Sequence, residues 1–385
     1  MENEQNSLLA PVDKTKNISA GVVSLLIVSG SIGGGCLVLP NAIQHSRVVG
    51  LIFIIVIGST SCYCGIKLGN CLQIIAERWP KYDKHIPDPY PVIAELCFGP
   101  IVRAFIRINL HIILSGNVIV LILLASQITD GFEDSKIFSR CSLVFLVGCA
   151  VVLPSWFGTP KDFWQVGIIS IITIAIPIFI IIWELLSTPE KMTEIHERKP
   201  YTSLKGISFA YGIIVFLYGS VGIYPSLQMD MKHKDQFRKA LLHATIIMTT
   251  VFFVVGYIGY KAVPYAISSN VALILKEGLA SEIAKPMLVI HLITQNLLCI
   301  NPVNQDIEQF LEVPKEFCWK RVISRTIVIA FLTFIALTFS NFAYIMNVIG
   351  ASSMVFLVFV CPLMFFMKLA SMKSPVGSCW PEWYV

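Results

Sequence analysis

Charge is what this chain has least of. Only 14% of its 385 residues are Asp, Glu, Lys or Arg, against roughly 25% in an average chain, and mean hydropathy is +0.73. The deficit excludes an ordinary soluble domain. Apolar runs longer than the ~18–20 residues that cross a bilayer recur along the chain, so it reads as an all-α polytopic protein embedded in lipid. The formal net charge of +5 needs no nucleic acid as partner, because membrane proteins concentrate Lys and Arg in cytoplasmic loops. The first residues, MENEQNSLLAPVDKTKN, lack a basic region followed by a short apolar core, so no cleaved signal peptide is expected. Eleven cysteines carry neither a disulfide framework nor metal-ligand spacing; they read as packing thiols. Nucleophile–base pairs and metal clusters are also missing at membrane depth, which argues against an enzyme and against a metal cofactor.

What the chain does have is about ten membrane segments, near residues 18–44, 48–75, 101–128, 141–157, 163–186, 207–229, 240–263, 286–311, 322–339 and 342–367. Tyr90–Gly99 reads as an interfacial helix, with Pro91 in its first turn and Gly99 at its end. Residues 271–284 are too short and too charged to span and read as a loop helix. With the N-terminus cytosolic, 19 of the 29 Lys and Arg residues fall on the cytosolic side. That bias favours both termini inside and an even number of spans. The layout is then a cytosolic tail (1–17), five helices (18–186), a non-cytosolic loop (187–206), five more helices (207–367) and a second cytosolic tail (368–385).

The first segment contains Gly30-Ser31-Ile32-Gly33-Gly34-Gly35. Each interior glycine costs a helix about 0.8–1.0 kcal/mol relative to alanine, and irregular backbone survives in hydrocarbon only where protein or a cavity surrounds it. The sixth segment is interrupted as well, at Tyr218-Gly219-Ser220-Val221-Gly222, and each break is followed by a proline, Pro40 and Pro225. Each broken segment opens a block of five, and an odd number of spans inverts the second block relative to the first. Paired interruptions at corresponding places in two halves point to a transporter site at the midplane. An unwound helix offers N–H groups at the positive start of its outer half to a carboxylate, and its freed carbonyls accept from an ammonium. A zwitterionic amino acid fits that pattern. The competing reading is that the glycines serve close helix–helix packing.

Four stretches carry a resemblance to a known family: Ser31-Ile32-Gly33-Gly34-Gly35-Cys36-Leu37-Val38-Leu39-Pro40; Tyr90 to Gly99 with Arg103; Gly212 to Ser220, continuing through Tyr224-Pro225-Ser226-Leu227-Gln228 to Asp230-Met231; and Pro286 to Phe310. Over nearly all of 17–369 the chain resembles the amino acid/auxin permease family, which includes the proton-coupled and vesicular inhibitory amino acid transporters. The resemblance implies a five-plus-five inverted repeat of the leucine-transporter type and amino acid substrates, often with proton coupling; the expected mode is alternating access, with no cofactor beyond a coupling proton or sodium ion. The family usually has an eleventh span, so the ten counted here suggest a shortened form. An amino acid sensor that binds without net transport, or a non-transporting short form, is the alternative.

On this reading Ser31, Ile32, Gly33, Gly34, Gly35, Tyr218, Gly219 and Ser220 contact substrate, with Tyr218 capping its side chain. His111 and His291 lie within spans and are candidates for proton coupling, since imidazole titrates near neutral pH; a hydrogen-bonded structural histidine is the rival. Asn109, Ser115, Asn117, Gln295 and Asn296 line the site or bond between helices. Glu184, Asp230, Asp306 and Glu308 fall near span ends and are expected at the interface. Glu4, Leu8 and Leu9 form an acidic dileucine pattern, which would recruit a sorting adaptor and favour an endolysosomal or vesicle membrane over the plasma membrane.

Overall fold

The computed structural model describes residues 18–79, 82, 86, 88–130, 138–156, 163–187, 203–262, 270–275, 278–314, 318–339 and 341–372. Within them the chain is helical, and the only extended pairing is a single parallel bridge between Ile18 and Met231. The helices are α1 (Ala20–Ser31), α2 (Leu39–Ser46), α3 (Val48–Arg78), α4 (Pro89–Phe98), α5 (Pro100–Asp130), α6 (Arg140–Ser155) and α7 (Phe163–Ser187). They continue as α8 (Leu204–Leu217), α9 (Tyr224–Met229), α10 (Phe237–Ala262), α11 (Leu279–Phe310), α12 (Trp319–Thr338), α13 (Phe342–Ile349) and α14 (Cys361–Ser371). Among the described residues eight helical stretches are long and apolar enough to cross a membrane, counting α8–α9 and α13–α14 as one each. The pair α1–α2 is a ninth, bent by 47°, and α6 is a shorter apolar helix. Each lies where the sequence places a membrane segment. The protein is therefore a multi-pass membrane protein.

The helix starts follow local chemistry. A Ser, Thr, Asp or Asn before the first turn satisfies an N–H that has no intrahelical partner. Both interrupted segments begin this way. Ser19 accepts from Val22 N at 3.4 Å before α1, and Ser203 accepts from Gly206 N at 3.0 Å before α8. Asn341 does the same for α13, at 3.1 Å from Ala343 N.

One expectation is corrected. Residues 271–284 do not form a separate loop helix. Val271–Ile274 is a 3₁₀ turn, and α11 starts at Leu279, behind Gly278 at φ 147°, and runs through Pro286 and Pro302. Each proline removes one hydrogen bond, which neighbouring groups can replace in a membrane helix, whereas unwinding would expose several. The tenth segment also departs from α geometry: Gly350–Met354 and Phe356–Val360 are π-helical, a form frequently found at functional sites.

The second interrupted segment, α8–α9, is gripped from two sides by glycines. Gly58, Gly65 and Gly69, spaced seven and four apart, share one face of α3. A Cβ added to them would lie 2.7 Å from the Tyr218 hydroxyl, 2.9 Å from the Tyr224 ring and 2.9 Å from Gln228 Oε1 respectively. On the other side, a Cβ on Gly350 would overlap the Gly212 carbonyl. Small residues let membrane helices approach this closely, where dispersion and hydrogen bonding rather than hydrophobicity hold them. Overpacking such a seam costs about 1–3 kcal/mol. Gly65→Val should therefore lower the apparent melting temperature of detergent-purified protein by several degrees. Gly21→Ala, where an added Cβ meets nothing within 4 Å, should leave it unchanged or slightly raised. Equal melting of the two variants would contradict the seam.

Candidate functional site

The first break is a compact turn. α1 ends at Ser31; Ile32 takes φ −80° and ψ 76°, and Gly33 N donates to Ser31 O at 2.9 Å. These are the marks of an inverse γ-turn. Gly33 is extended, and the chain re-enters helix as the 3₁₀ turn Gly34–Val38 leading into α2. The last carbonyls of a helix lack intrahelical partners. Here Val28 O takes Ile32 N at 2.7 Å, and Gly30 O takes the side chain of Gln295 from α11, Nε2 at 3.3 Å. The second break is gentler. α8 ends at Leu217, and a 3₁₀ turn over Gly219–Ile223 leads to α9.

The two breaks touch. Ser31 Oγ and Ser220 Oγ are 2.7 Å apart, and Ser220 Oγ in turn donates to the Tyr224 hydroxyl at 3.1 Å. A second link joins the same segments at their other ends, where Ile18 N donates to Asp230 O at 3.2 Å and Lys232 N to Ile18 O at 3.1 Å. Of the expected contact residues, Ser31 through Gly35 and Gly219 with Ser220 thus gather in one place. Tyr218 joins them only through its backbone. Its ring is buried, its hydroxyl donates to Ile54 O at 3.1 Å and lies 2.9 Å from Thr249 Oγ1, and it meets Phe252 edge-on. The side chain points to α3 and α10, away from the Ser31–Ser220 contact.

Side-chain tips crowd the glycines. A Cβ on Gly33 would strike the Gln295 amide, on Gly34 the ends of Leu124 and Leu292, on Gly35 those of Leu217 and Met346, and on Gly219 the thioether of Met354. All these neighbours are buried. The glycines are needed for approach rather than for unusual dihedrals, since neither Gly33 nor Gly34 has positive φ.

The titratable groups divide sharply. His111 Nε2 lies 2.8 Å from Asp306 Oδ2, and Arg107 sits 3.7 Å from the same oxygen and 3.0 Å from Asp88. These side chains are 24–44% exposed. His291 is fully buried, and its Nδ1 meets Ser170 O at 2.9 Å and Ser170 Oγ at 3.1 Å; a carbonyl only accepts, so Nδ1 donates. This is a pin between α7 and α11, and of the two histidines only His111 reaches a carboxylate. Glu308, expected at the interface, is instead buried, as a two-point pair with Arg325 at 2.5 and 3.2 Å. Arg325 also donates to Ser155 O at 2.6 Å. Its five donors satisfy a carboxylate and a helix end together, which explains the burial. Asn109 bonds to its own helix at Phe105 O, and Asn117 Nδ2 contacts Cys299 Sγ at 3.2 Å. Glu4, Leu8 and Leu9 lie outside the described residues.

Sequence reading does not find the apolar neighbours Leu124, Leu292, Met346 and Met354, because nothing distinguishes them from other core positions. It finds Gln295 only as one of several polar residues at depth.

Two interrupted spans in contact, inside a bundle of apolar helices, define a membrane protein with irregular backbone at its centre. The chain belongs to the transmembrane amino acid transporter protein family, whose model matches residues 16–383. It is similar to the amino acid transporter AVT1C of Arabidopsis thaliana, 22% identical over 97% of this chain and 68% of the relative. It is also similar to AVT1D (23%; 90% and 64%) and AVT1J (21%; 97% and 88%) of the same plant. The chain thus spans about two thirds of the length of two of these relatives. The family and the relatives are transporters, and the chain is not an enzyme.

Removing one partner of a buried ion pair costs about 3–5 kcal/mol, an exposed pair ~1 kcal/mol or less. Glu308→Ala should therefore sharply reduce the yield of monodisperse protein. Glu95→Ala, which breaks the half-exposed pair with Arg103 at 2.6 Å, should not. Similar size-exclusion profiles for both would refute the assignment of Glu308 and Arg325 as a structural clamp.

Proposed function

We propose that this chain is a secondary active transporter that moves amino acids across a membrane by alternating access. The observation that carries the reading is the 2.7 Å contact between Ser31 and Ser220, which joins the two interrupted spans into one locus. The start of Gly34–Ser46 presents N–H groups and the positive helix end to a substrate carboxylate. Carbonyls at the end of α1 and at the Tyr218 turn, which take the Gln295 and Ser61 side chains in the structure, exchange these partners for its ammonium. The two blocks of five helices are related as an inverted repeat, and the substrate lies between the halves. The relatives' names supply the substrate class at the level of amino acids. In the structure the glycine faces are covered by flexible side-chain ends, so transport requires these to move aside.

His111 with Asp306 is the proton-coupling candidate. The pair is partly exposed and joins α5 to α11, the helix that also reaches the first break through Gln295. Protonation of His111 strengthens its bond to Asp306, and its loss weakens the bond, so the pair couples proton occupancy to the distance between the two helices. An endolysosomal or vesicle location rests on the Glu4, Leu8 and Leu9 pattern alone.

Proteoliposome uptake of radiolabelled amino acids, with and without a pH gradient, tests the reading. Gly34→Ala should abolish uptake. The pair Gly34→Ala with Leu124→Ala removes the nearer of the two clashes, leaving the end of Leu292, and should still carry nothing even where it purifies as monodisperse protein, because the added methyl still blocks the ligand. Recovery of uptake in the double variant would show that Gly34 serves packing alone. Stimulation by an inward proton gradient should disappear in His111→Gln while exchange at equal pH persists. Full stimulation in that variant would remove His111 from coupling.

A further inference from the structure

The helix that closes over both breaks is the tenth span. Two of its methionines sit on glycines of different breaks: Met346 Cε would lie 3.1 Å from a Cβ on Gly35, and the Met354 thioether covers Gly219. Both are buried, Met346 at 0% and Met354 at 3% exposure. Met354 closes the π-helical stretch Gly350–Met354, and a π turn inserted in an α-helix is recurrently found at functional sites. The helix itself cannot approach α8 further, because Gly350 rests on the Gly212 carbonyl. What can yield is the side chain. Methionine is unbranched, has three rotatable bonds and fills irregular space without demanding one shape. The remaining wall near the first break is the Gln295 amide, held by its bond to Gly30 O, with Leu124, Leu217 and Leu292, which are branched and stiffer.

We propose that Met354, seconded by Met346, is the movable wall of the substrate side-chain subsite and sets the size of side chain that the carrier accepts. This rests on the reading of the two breaks as the binding locus. A ligand whose α-carbon docks on the glycines must direct its side chain somewhere, and on the Gly219 side the volume nearest the backbone is filled by the Met354 thioether. Swinging that thioether out opens space next to Gly219 without moving any backbone. How far it swings decides which side chains fit.

The test is a size series. Wild type, Met354→Ala and Met354→Trp are reconstituted and assayed with glycine, alanine, leucine and phenylalanine, reading KM and kcat for each. One methylene in an apolar pocket discriminates about tenfold or more. Met354→Ala should therefore lower the KM of phenylalanine relative to alanine by about tenfold, and Met354→Trp should raise it while sparing glycine. If the alanine variant misfolds, Met354→Leu, of similar volume but stiffer, should raise the KM of phenylalanine alone. An unchanged size preference in the monodisperse variants overturns the proposal. A wild type that takes up no amino acid at all would instead remove the carrier reading, and the subsite with it.

Discussion

Hydrocarbon offers the backbone no water, so a helix interrupted inside a membrane must find its missing partners within the protein. The first break of this chain depends on that constraint more than any other feature does. Its carbonyls are met by a γ-turn, by its own next amide and by the Gln295 side chain of α11, and its serine is met by the serine of the second break. The two interruptions lie side by side, joined through these hydroxyls. The surrounding architecture serves to hold them there. A glycine face on α3 and a glycine crossing on the tenth span let α8–α9 come close enough for Ser220 to reach Ser31, and the Ile18–Met231 bridge ties the same two segments at the opposite end.

The ion pairs divide the bundle into fixed and adjustable parts. Glu308 and Arg325 are sealed, with side chains 7% and 2% exposed, and bind α11 to α12 and to the end of α6. Asp306, two residues earlier, faces the other way and shares its carboxylate between His111 and Arg107 in a more exposed setting. Both carboxylates follow Pro302, where the helix lacks one main-chain hydrogen bond. A single helix thus carries a permanent clamp and a labile one within one turn, downstream of a weak point.

Much of this was legible from residues alone, for reasons that are physical. Long apolar runs have no other stable home than lipid, so the membrane segments emerged close to their observed limits, except at the start of α11. Gly33-Gly34-Gly35 and Tyr218-Gly219-Ser220 stood out because interior glycines weaken a helix. Contacts between distant segments were not legible. The tyrosine at 218 promised a cap over the ligand, yet its ring turns into the α3–α10 seam, where Gly58 makes room for the hydroxyl. The spacing of Gly58, Gly65 and Gly69 is the one available signal for that seam, and it reads as a packing face only once a partner is known. Glu308 looked interfacial from its place near a span end. Its partner Arg325 lies 17 positions away on the next helix, and no local pattern announces such a pair. Pro286 suggested a helix start; neighbouring helices let α11 run through it.

The central claim is that the two interruptions form one locus that the substrate enters. Cysteines placed at Ser31 and Ser220, in a background lacking the exposed Cys141 and Cys149, test it directly. Hydroxyl oxygens 2.7 Å apart place the two positions within reach of a disulfide. The account predicts that mild oxidation in the membrane cross-links them rapidly, that a transported amino acid slows the reaction, and that the cross-linked protein carries nothing until reduced. Failure to cross-link, or full uptake by the cross-linked protein, would contradict it.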